Sequence, residues 1–581
     1  MKKILFSLVT LLTVLGLSAA PINEQQARKI ATDFFAQGGR AASAGLTLAW
    51  AGDDLNSAGG RSATASGNNF SLLYIYNRGT NGFAIIAGDD AMQQPVVAYS
   101  QERPFDVNNM APATRELLVA WCKQIAAAAG SPRAASRAID YGTNLCHYNT
   151  ALWDQSEPYN REAPTIGGQR CLTGCVATAM AIIAYYHQWP EKGVGTTPEY
   201  TVDDLVVPAN ELGRTYDYDN MLSRYHDDNY QPLYNDTQGD AVAALMKDMG
   251  TSVQMGYGVN ESWAYFAPVA TAMINHFGYS KQTLIKTEYG YTYDEWVAAL
   301  QQNLLDCGPT FMGAQNNQGG HAFVLEGCTS AGYFYVNYGW SGYGNGCYLL
   351  PDFDYYRDQT VAFDMVPDRT GTSTYQDYLE LITVSTNYRG LRSIATEYKP
   401  NEQFGLYIGG IHNMGNVAFT GQVQLVLCDK TGAVKESLVT FDVDQLERQY
   451  YTYGSQYVEF SSALAEGDRL RLLYKGQYSG DEWHWAKAAD ANAASEIILV
   501  ATPKDIAENL AFSYLKDANS IQLYAPLALQ YSVTDALGNT KAEGTEPSYT
   551  YINIDTGTLE AGEYTFSIAS GGEPYRFTVV L

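Results

Sequence analysis

The stretch GQRCLTGCVATAMAIIAYYHQWP, residues 168–190, decides the fold of this chain. Gly174 precedes Cys175, and a run of apolar and helix-forming residues follows until Pro190, which cannot continue a helix. A cysteine in the first turn of a helix faces unpaired N–H groups and the positive end of the helix dipole, and both favour the thiolate. The pattern predicts a reactive cysteine at the start of a buried helix. A buried structural cysteine is the alternative, so the rest of the sequence must decide.

A second motif, GGHAFVLEG at residues 319–327, places two glycines before His321 and a β-type run after it. His321 lies 146 positions after Cys175, within the roughly 130–150 residues that separate these two residue types in papain-type peptidases. An imidazole close to a thiol can remove its proton and later protonate a leaving amine. We therefore predict His321 as the general base.

Two further side chains complete the predicted site. Asn337, in VNYGWSGYGNG at residues 336–346, lies 16 positions after His321 and could hold the imidazole in its reactive tautomer, with Trp340 shielding that hydrogen bond from water. Gln169 lies six positions before Cys175. Its amide, with the Cys175 backbone N–H, could stabilise the oxyanion of a tetrahedral intermediate. A plain surface glutamine is the alternative for Gln169.

Taken together, these motifs resemble the streptopain family of secreted cysteine peptidases, within the papain-like superfamily. The resemblance rests on the order and spacing of Gln-x5-Cys with TGCVATAMA, of GGHAFV and of Asn-x-Gly-Trp. It implies that Cys175 is the nucleophile and His321 the general base. The third motif departs at two positions from the family pattern Asn-Trp-Gly-Trp-Gly-Gly, so the residue that orients His321 is Asn337, Tyr338 or Trp340.

The first twenty residues have the layout of a secretory signal. Lys2 and Lys3 precede an apolar run over residues 4–17, and small residues follow it. That run is shorter than the roughly 20 residues needed to span a bilayer. We expect a protein that is secreted or held at the cell surface after signal removal, with no transmembrane segment in the mature chain.

The region between the signal and the cysteine motif predicts an α+β domain. Asn23 and Gln26 resemble a helix capping box, and apolar runs at residues 72–76 and 83–87 predict a hairpin. By resemblance this region is the family's inhibitory prodomain, which blocks the cleft until it is cut away. The small-residue stretch GSPRAASR, residues 130–137, is where a protease would cut.

Short alternating runs separated by turn residues fill the chain beyond residue 370 and predict two β-sandwich-like modules. The last one resembles the C-terminal sorting domains of the type IX secretion system through YSVTDALGNT and LEAGEYTFSI, although it lacks their basic ending. This resemblance implies secretion machinery as a partner.

Composition excludes several functions. The 581 residues include 36 basic and 62 acidic side chains, for a net charge of -26, which would repel a nucleic acid. Eight cysteines are too few for a disulfide scaffold. A zinc site formed by Cys171, Cys175 and His187 is an alternative, but no second ligand pair follows at the expected distance. We therefore expect no cofactor and no metal.

The predicted fold class is α+β: a papain-like catalytic domain with a helical half and a β half, an α+β prodomain before it and two β modules after it. The predicted boundaries are 1–20 for the signal peptide, 21–140 for the inhibitory prodomain, 141–369 for the peptidase, 370–502 for the β-sandwich module and 503–581 for the C-terminal module.

The predicted function is that of a secreted cysteine endopeptidase, made as a zymogen inhibited by its own prodomain. It would hydrolyse protein or peptide substrates through a thioester on Cys175. Two alternatives remain at this stage. One is a non-catalytic surface-binding protein with a relic papain-like domain, and the other is a Cys-His acyltransferase or amidase, since a fold and a dyad do not fix the acceptor.

Overall fold

The structure, a computed structural model, covers most of the chain. It describes residues 20–37, 45–52, 70–90, 92, 95–100, 104–107, 118–119, 121–123, 125–126, 142–227, 229–315, 319–350, 357–515 and 519–580. The expected signal, apart from residue 20, and the expected cutting stretch at 130–137 lie outside these residues. The chain forms two compact units, residues 1–266 with 297–359, and residues 267–296 with 360–581.

Helices form where the sequence supplies a cap and an apolar stripe. The predicted capping box is confirmed: the backbone N–H of Gln26 donates to the Asn23 side chain at 2.9 Å, and the Asn23 N–H donates to the Gln26 side chain at 2.9 Å. The α-helices are α1 (Glu24–Gln37), α2 (Cys175–His187), α3 (Asp236–Ser252), α4 (Pro268–Phe277), α5 (Tyr293–Cys307) and α6 (Pro503–Asn509), with 3₁₀ turns at Tyr218–Asn220 and Glu288–Gly290.

The first unit is built around one large sheet, and several two-stranded sheets lie outside it. Its strands are β1 (Leu46–Gly52), β2 (Leu73–Arg78), β3 (Phe83–Ala87), β4 (Val96–Ser100), β5 (Asn144–His147), β6 (Thr165–Ile166), β7 (Gln169–Arg170), β8 (Thr196–Thr197), β9 (Tyr200–Val202), β10 (Leu205–Val207), β11 (Asn210–Glu211), β13 (Thr310–Gln315), β14 (Gly320–Thr329), β15 (Tyr333–Asn337) and β16 (Gly346–Leu349). The predicted hairpin is confirmed as the antiparallel pair β2 and β3.

Strands from the expected prodomain and strands from the expected catalytic domain share that sheet. The order is β1-β2-β3-β4-β16-β15-β14-β13, and β5 pairs with the far end of β14. The join is the antiparallel pair of β4 and β16, where Tyr99 faces Cys347 and Ala98 faces Tyr348. One buried cluster also contains both Phe34 of α1 and Tyr333 of β15. Strands β1 to β4 therefore continue the sheet of β13 to β16 through backbone pairing and a common core.

Helix α2 is the buried element that positions the site. Its residues from Val176 to Ala184 are all buried, as expected for a helix that is apolar on every face. It packs against β14, which runs between β13 and β15. The cysteine at the start of α2 and the histidine at the start of β14 are thus held by two rigid elements.

The second unit consists mainly of β-structure. Strand β12 (Leu284–Thr287) pairs with β17 (Arg357–Phe363) over Thr360 to Phe363. The remaining strands are β18 (Leu379–Ile382), β19 (Leu391–Ser393), β20 (Phe404–Asn413), β21 (Phe419–Cys428), β22 (Val434–Leu446), β23 (Tyr451–Val458), β24 (Arg469–Gly476), β25 (His484–Trp485), β26 (Lys487–Ala488), β27 (Glu496–Ile498), β28 (Ala511–Leu515), β29 (Ser520–Tyr524), β30 (Leu529–Asp535), β31 (Thr540–Glu546), β32 (Tyr551–Asp555), β33 (Glu563–Ala569) and β34 (Tyr575–Val580).

These strands form two pairs of sheets, each pair with its own buried core, as predicted for two β modules. Residues 267–296 group with residues 360–581 in this unit. Polar contacts join the two segments. Asn416 donates to the Thr283 carbonyl at 2.6 Å, and Lys487 lies 3.5 Å from Glu295.

Within the described ranges, no helix is long and apolar enough to cross a membrane. In the same part of the chain, no three His, Cys, Asp or Glu side chains are grouped so that they could hold a metal ion.

Candidate active site

The start of helix α2 depends on a glycine. Gly174 precedes Cys175 with φ +86°, a conformation that L side chains rarely adopt, and a Cβ there would meet the Met255 sulfur at 2.5 Å. No side chain caps this end of the helix. The first N–H groups of α2, including that of Cys175, are therefore left for other acceptors.

Cys175 and His321 line the same cavity, whose volume is about 640 Å³. Its wall also contains Gln155, the loop from Asn260 to Phe266, and Trp340. The cavity belongs wholly to the first unit. The structure thus brings together the two residues that the sequence motifs single out, although they lie far apart in the chain.

A backbone carbonyl fixes the tautomer of His321. The buried ring places Nε2 2.9 Å from the Tyr338 carbonyl oxygen. Because a carbonyl only accepts hydrogen bonds, the neutral ring carries its proton on Nε2 and leaves Nδ1 unprotonated. Burial lowers the pKa of His321 to about 4, against an opposing effect of the Tyr338 carbonyl. At neutral pH His321 is therefore uncharged, with Nδ1 unprotonated.

Aromatic rings hold His321 in place from one side. The Trp340 ring stacks on it with centroids 4.6 Å apart, and Tyr338 stacks on Trp340 at 4.9 Å. The segment that carries these rings is itself tied down, because the Tyr338 N–H donates to the Asn345 side chain at 3.0 Å and Ser341 donates to buried Asp154. The stacked rings limit rotation of the imidazole and keep water from its face.

The Cys175 thiol is less acidic than an ordinary cysteine in this structure. Burial is the largest cause of its raised pKa. The backbone N–H groups of Ala322, Val176 and Cys175 act in the opposite direction, while the negative charge of Glu261 raises the pKa further. Ala322 follows His321 directly, so the thiol lies against the strand that carries the histidine. Cys175 is thus a protonated thiol beside a neutral base.

The hydrogen bonds of the Asn337 side chain go to residues other than His321. Asn337 is fully buried, and its amide donates to the Thr150 hydroxyl at 2.8 Å and to the Ala151 carbonyl at 2.8 Å. Its oxygen accepts from the Gly339 N–H at 3.0 Å. These hydrogen bonds shape the turn after β15, and the partner of His321 is the next residue's carbonyl instead. Sequence reasoning based on side chains missed this acceptor, because any residue could supply it.

Gln169 lies outside the cavity wall. It is exposed on β7, because Gly167 and Gly168, both with positive φ, turn the β6–β7 hairpin back on itself. A different glutamine, Gln155, lines the cavity, and its carbonyl accepts from the Thr173 N–H at 3.1 Å. That bond joins Gln155 to the segment just before Cys175. No spacing rule pointed to Gln155. Its position in the cavity wall is evident only from the folded structure.

The loop opposite α2 gives the cavity an acidic wall. Ser262 donates to the Leu172 carbonyl at 2.9 Å and accepts from the Gly258 N–H at 2.9 Å, which fixes the loop beside the cysteine motif. Glu261 on this loop is exposed and forms no hydrogen bond or ion pair with any described residue. None of the described residues that line the cavity is Lys or Arg. The wall is therefore negatively charged.

Two protein families match this chain. Residues 153–348 match the Peptidase C10 family, and residues 19–125 match the Spi protease inhibitor family. The first match contains both Cys175 and His321, and the second contains α1 and the strands β1 to β4. The two matched regions are the same two regions that share the sheet.

Several known proteins are similar to the chain. Streptopain from Streptococcus pyogenes is 28% identical over 314 residues, which covers 49% of this chain and 74% of streptopain. The thiol protease/hemagglutinin PrtT from Porphyromonas gingivalis is 27% identical over 374 residues, covering 60% of this chain and 41% of PrtT. Among solved structures, a prointerpain A fragment from Prevotella intermedia aligns at 24% identity with a TM-score of 0.44, covering 56% of this chain and 100% of that one.

The negative charge of Glu261 should slow alkylation of the Cys175 thiol at a given pH. Replacing Glu261 with Gln removes a negative charge that raises the Cys175 pKa, so more thiolate forms at a given pH and alkylation speeds up. We expect the pH profile of iodoacetamide labelling at Cys175, followed by peptide mass spectrometry, to shift to lower pH in E261Q. The matched control is Glu211→Gln, at an exposed position outside the cavity wall. An unchanged profile in E261Q would contradict the electrostatic account.

Proposed function

We propose that this cysteine peptidase is an endopeptidase with Cys175 as nucleophile and His321 as general base; the support is the match of residues 153–348 to the Peptidase C10 family, the match of residues 19–125 to the Spi protease inhibitor family, and the similarity to streptopain and PrtT. One observation carries the proposal. A cysteine at an uncapped helix start and a neutral histidine with Nδ1 unprotonated line one open cavity. Protein substrates follow from the family.

In the proposed first half-reaction, Nδ1 of His321 takes the proton of the Cys175 thiol as the sulfur attacks the peptide carbonyl carbon. The tetrahedral intermediate collapses when the imidazolium protonates the leaving amine, which leaves a thioester on Cys175. Water then attacks the thioester with His321 again as base, and the acid product leaves as the imidazolium returns the proton to the Cys175 sulfur. Starting from a neutral pair suits this sequence, because the proton moves only when substrate is in place.

The oxyanion would be stabilised by the Cys175 backbone N–H and an amide side chain. We assign that amide to Gln155, which lines the cavity, rather than to Gln169, which does not. The Tyr338 carbonyl would stabilise the imidazolium that forms on His321, and Trp340 would keep the ring oriented. Asn337 would act indirectly, by holding the turn that presents the Tyr338 carbonyl.

We further propose that the chain is exported as a zymogen and activated by a cut near residues 130–137. The support is the sequence of a secretory signal, the small-residue stretch with Arg133 and Arg137, and the Spi-type region before it. Residues 21–140 would be the prodomain, 141–369 the peptidase and 370–502 a β module. Residues 503–581 would act as a sorting module read by secretion machinery.

The acidic wall supports a preference among substrates. An unpartnered Glu261 would attract a Lys or Arg side chain beside the scissile bond and repel an acidic one. A bound cation would also offset the effect of Glu261 on the Cys175 thiol. The stretch at 130–137 contains two arginines and so fits this preference.

The nucleophile is tested by Cys175→Ala in the full-length protein. We expect it to abolish both casein cleavage and removal of the prodomain, because no other group would form the thioester. Cys171→Ala is the matched control, since Cys171 is a buried thiol in the same motif and lies outside the cavity wall. Casein cleavage retained by C175A would refute the assignment. Sequencing of new casein N-termini separates hydrolysis from acyl transfer, and transfer products alone would contradict a peptidase.

The oxyanion donor is tested by comparing two glutamines. Gln155→Ala should lower kcat by about 10²–10³-fold, the usual effect of losing one oxyanion donor, whereas Gln169→Ala should remain close to wild type because its side chain is exposed away from the cavity. Steady-state kinetics on a fluorogenic peptide measure both. The reverse ranking of the two variants would restore Gln169 and reject Gln155.

Charge preference is tested with matched peptides that differ only in carrying Arg or Glu next to the scissile bond. The mature enzyme should favour Arg in kcat/KM, and Glu261→Gln should reduce that preference about two- to fivefold, as expected for an exposed ion pair. Glu211→Gln should leave the preference unchanged. Equal selectivity in wild type and E261Q would show that Glu261 does not select substrates.

A further inference from the structure

Two cysteines outside the active-site cavity face each other across neighbouring strands. Cys146 on β5 is directly opposite Cys328 on β14 in the antiparallel register, and their sulfur atoms lie 3.7 Å apart. Both are free thiols. The proposed mechanism uses neither of them, and neither belongs to the cavity wall.

We propose that Cys146 and Cys328 are a disulfide site of the exported protein. Facing residues on antiparallel strands have Cβ atoms about 4.5–5.5 Å apart, and a disulfide needs about 3.5–4.5 Å. A strand adjustment of roughly 1 Å therefore brings the two side chains to bonding geometry. The outside of a cell is also the compartment in which such bonds persist.

The two thiols differ in reactivity in a way that suits stepwise oxidation. A hydrogen bond from the Cys328 thiol is the main cause of a lowered pKa at Cys146, and Cys146 is only partly buried. Cys146 is therefore the sulfur that an external oxidant meets first as a thiolate. The Cys175 thiol has a raised pKa, so it is the poorer competitor for the same oxidant.

The chemistry needs a small-molecule disulfide as oxidant. The Cys146 thiolate attacks one sulfur of that disulfide and releases one small thiol, which leaves a mixed disulfide on Cys146. The Cys328 thiolate then attacks the Cys146 sulfur and releases the second small thiol. Two protein thiols are oxidised, one small disulfide is reduced to two thiols, and each protein sulfur gives up one proton.

The proposed disulfide would tie strand β5 to strand β14. Strand β5 is the first strand after residues 130–137, so under the proposed activation cut it lies at the new N-terminus. In this structure β5 is held to β14 by a short ladder over Gly327 to Thr329. The same strand β14 carries His321 at its other end. A covalent bond would keep the new terminus on the strand that presents the general base.

The test uses the full-length Cys175→Ala protein, which removes the catalytic thiol and self-cleavage. The folded protein is treated with oxidised glutathione, free thiols are blocked with N-ethylmaleimide, and peptides are mapped by mass spectrometry without reduction. We expect one cross-linked species that joins the Cys146 and Cys328 peptides. Oxidation should also raise Tm by roughly 5–10 °C, and adding Cys146→Ser should remove that rise.

The matched control is Cys428→Ser in the same background, which should keep the cross-link because Cys428 lies in the second unit. Three results would overturn the proposal: maleimide on both Cys146 and Cys328 after oxidation, glutathione retained on Cys146, or a cross-link from Cys328 to Cys347 instead. None of these outcomes bears on whether Cys175 is the nucleophile, so the two proposals fail separately.

Discussion

The hydrogen bond between Nε2 of His321 and the Tyr338 carbonyl is the constraint on which the site depends. It decides which ring nitrogen is protonated and therefore which one would accept the proton of Cys175 in the proposed mechanism. Much of the surrounding structure serves this bond. Asn337 shapes the turn, Asn345 and Asp154 anchor the following segment, and Trp340 covers the ring. A main-chain acceptor is also independent of the side chain at its position.

The sequence predicted those parts of the site that are encoded locally. A helix start after Gly174 and a strand start before His321 can each be recognised from neighbouring residues, so both were identified. Gln155, which we propose as the oxyanion donor, was not predicted because its position in the cavity wall depends on tertiary contacts such as the hydrogen bond from the Thr173 N–H to its backbone carbonyl. The contact of His321 Nε2 with the Tyr338 carbonyl could not be predicted, because any residue at position 338 supplies a backbone carbonyl. The two β modules were predictable because short alternating apolar runs predict strands, whereas the papain-like α+β class was predicted from the resemblance carried by the motifs.

The pairing of β4 with β16 links the prodomain to the part of the chain that contacts His321. Strand β4 pairs with β16, and β16 follows the segment that supplies the Tyr338 carbonyl and the Trp340 ring. The backbone pairing of the prodomain therefore ends close in sequence to the group that orients the base. None of the described residues before residue 142 lines the cavity. The described part of the prodomain is thus connected to the site through the sheet rather than through the cavity wall.

The most direct test of this account is the protonation state of His321, observed by ¹⁵N NMR of histidine-labelled Cys175→Ala protein over a pH titration. The account predicts a neutral ring with its proton on Nε2 at pH 7, and protonation of Nδ1 only as the pH falls towards the pKa of about 4. A ring that carries its neutral proton on Nδ1, or one that titrates at the ordinary histidine value of 6.5, would contradict it.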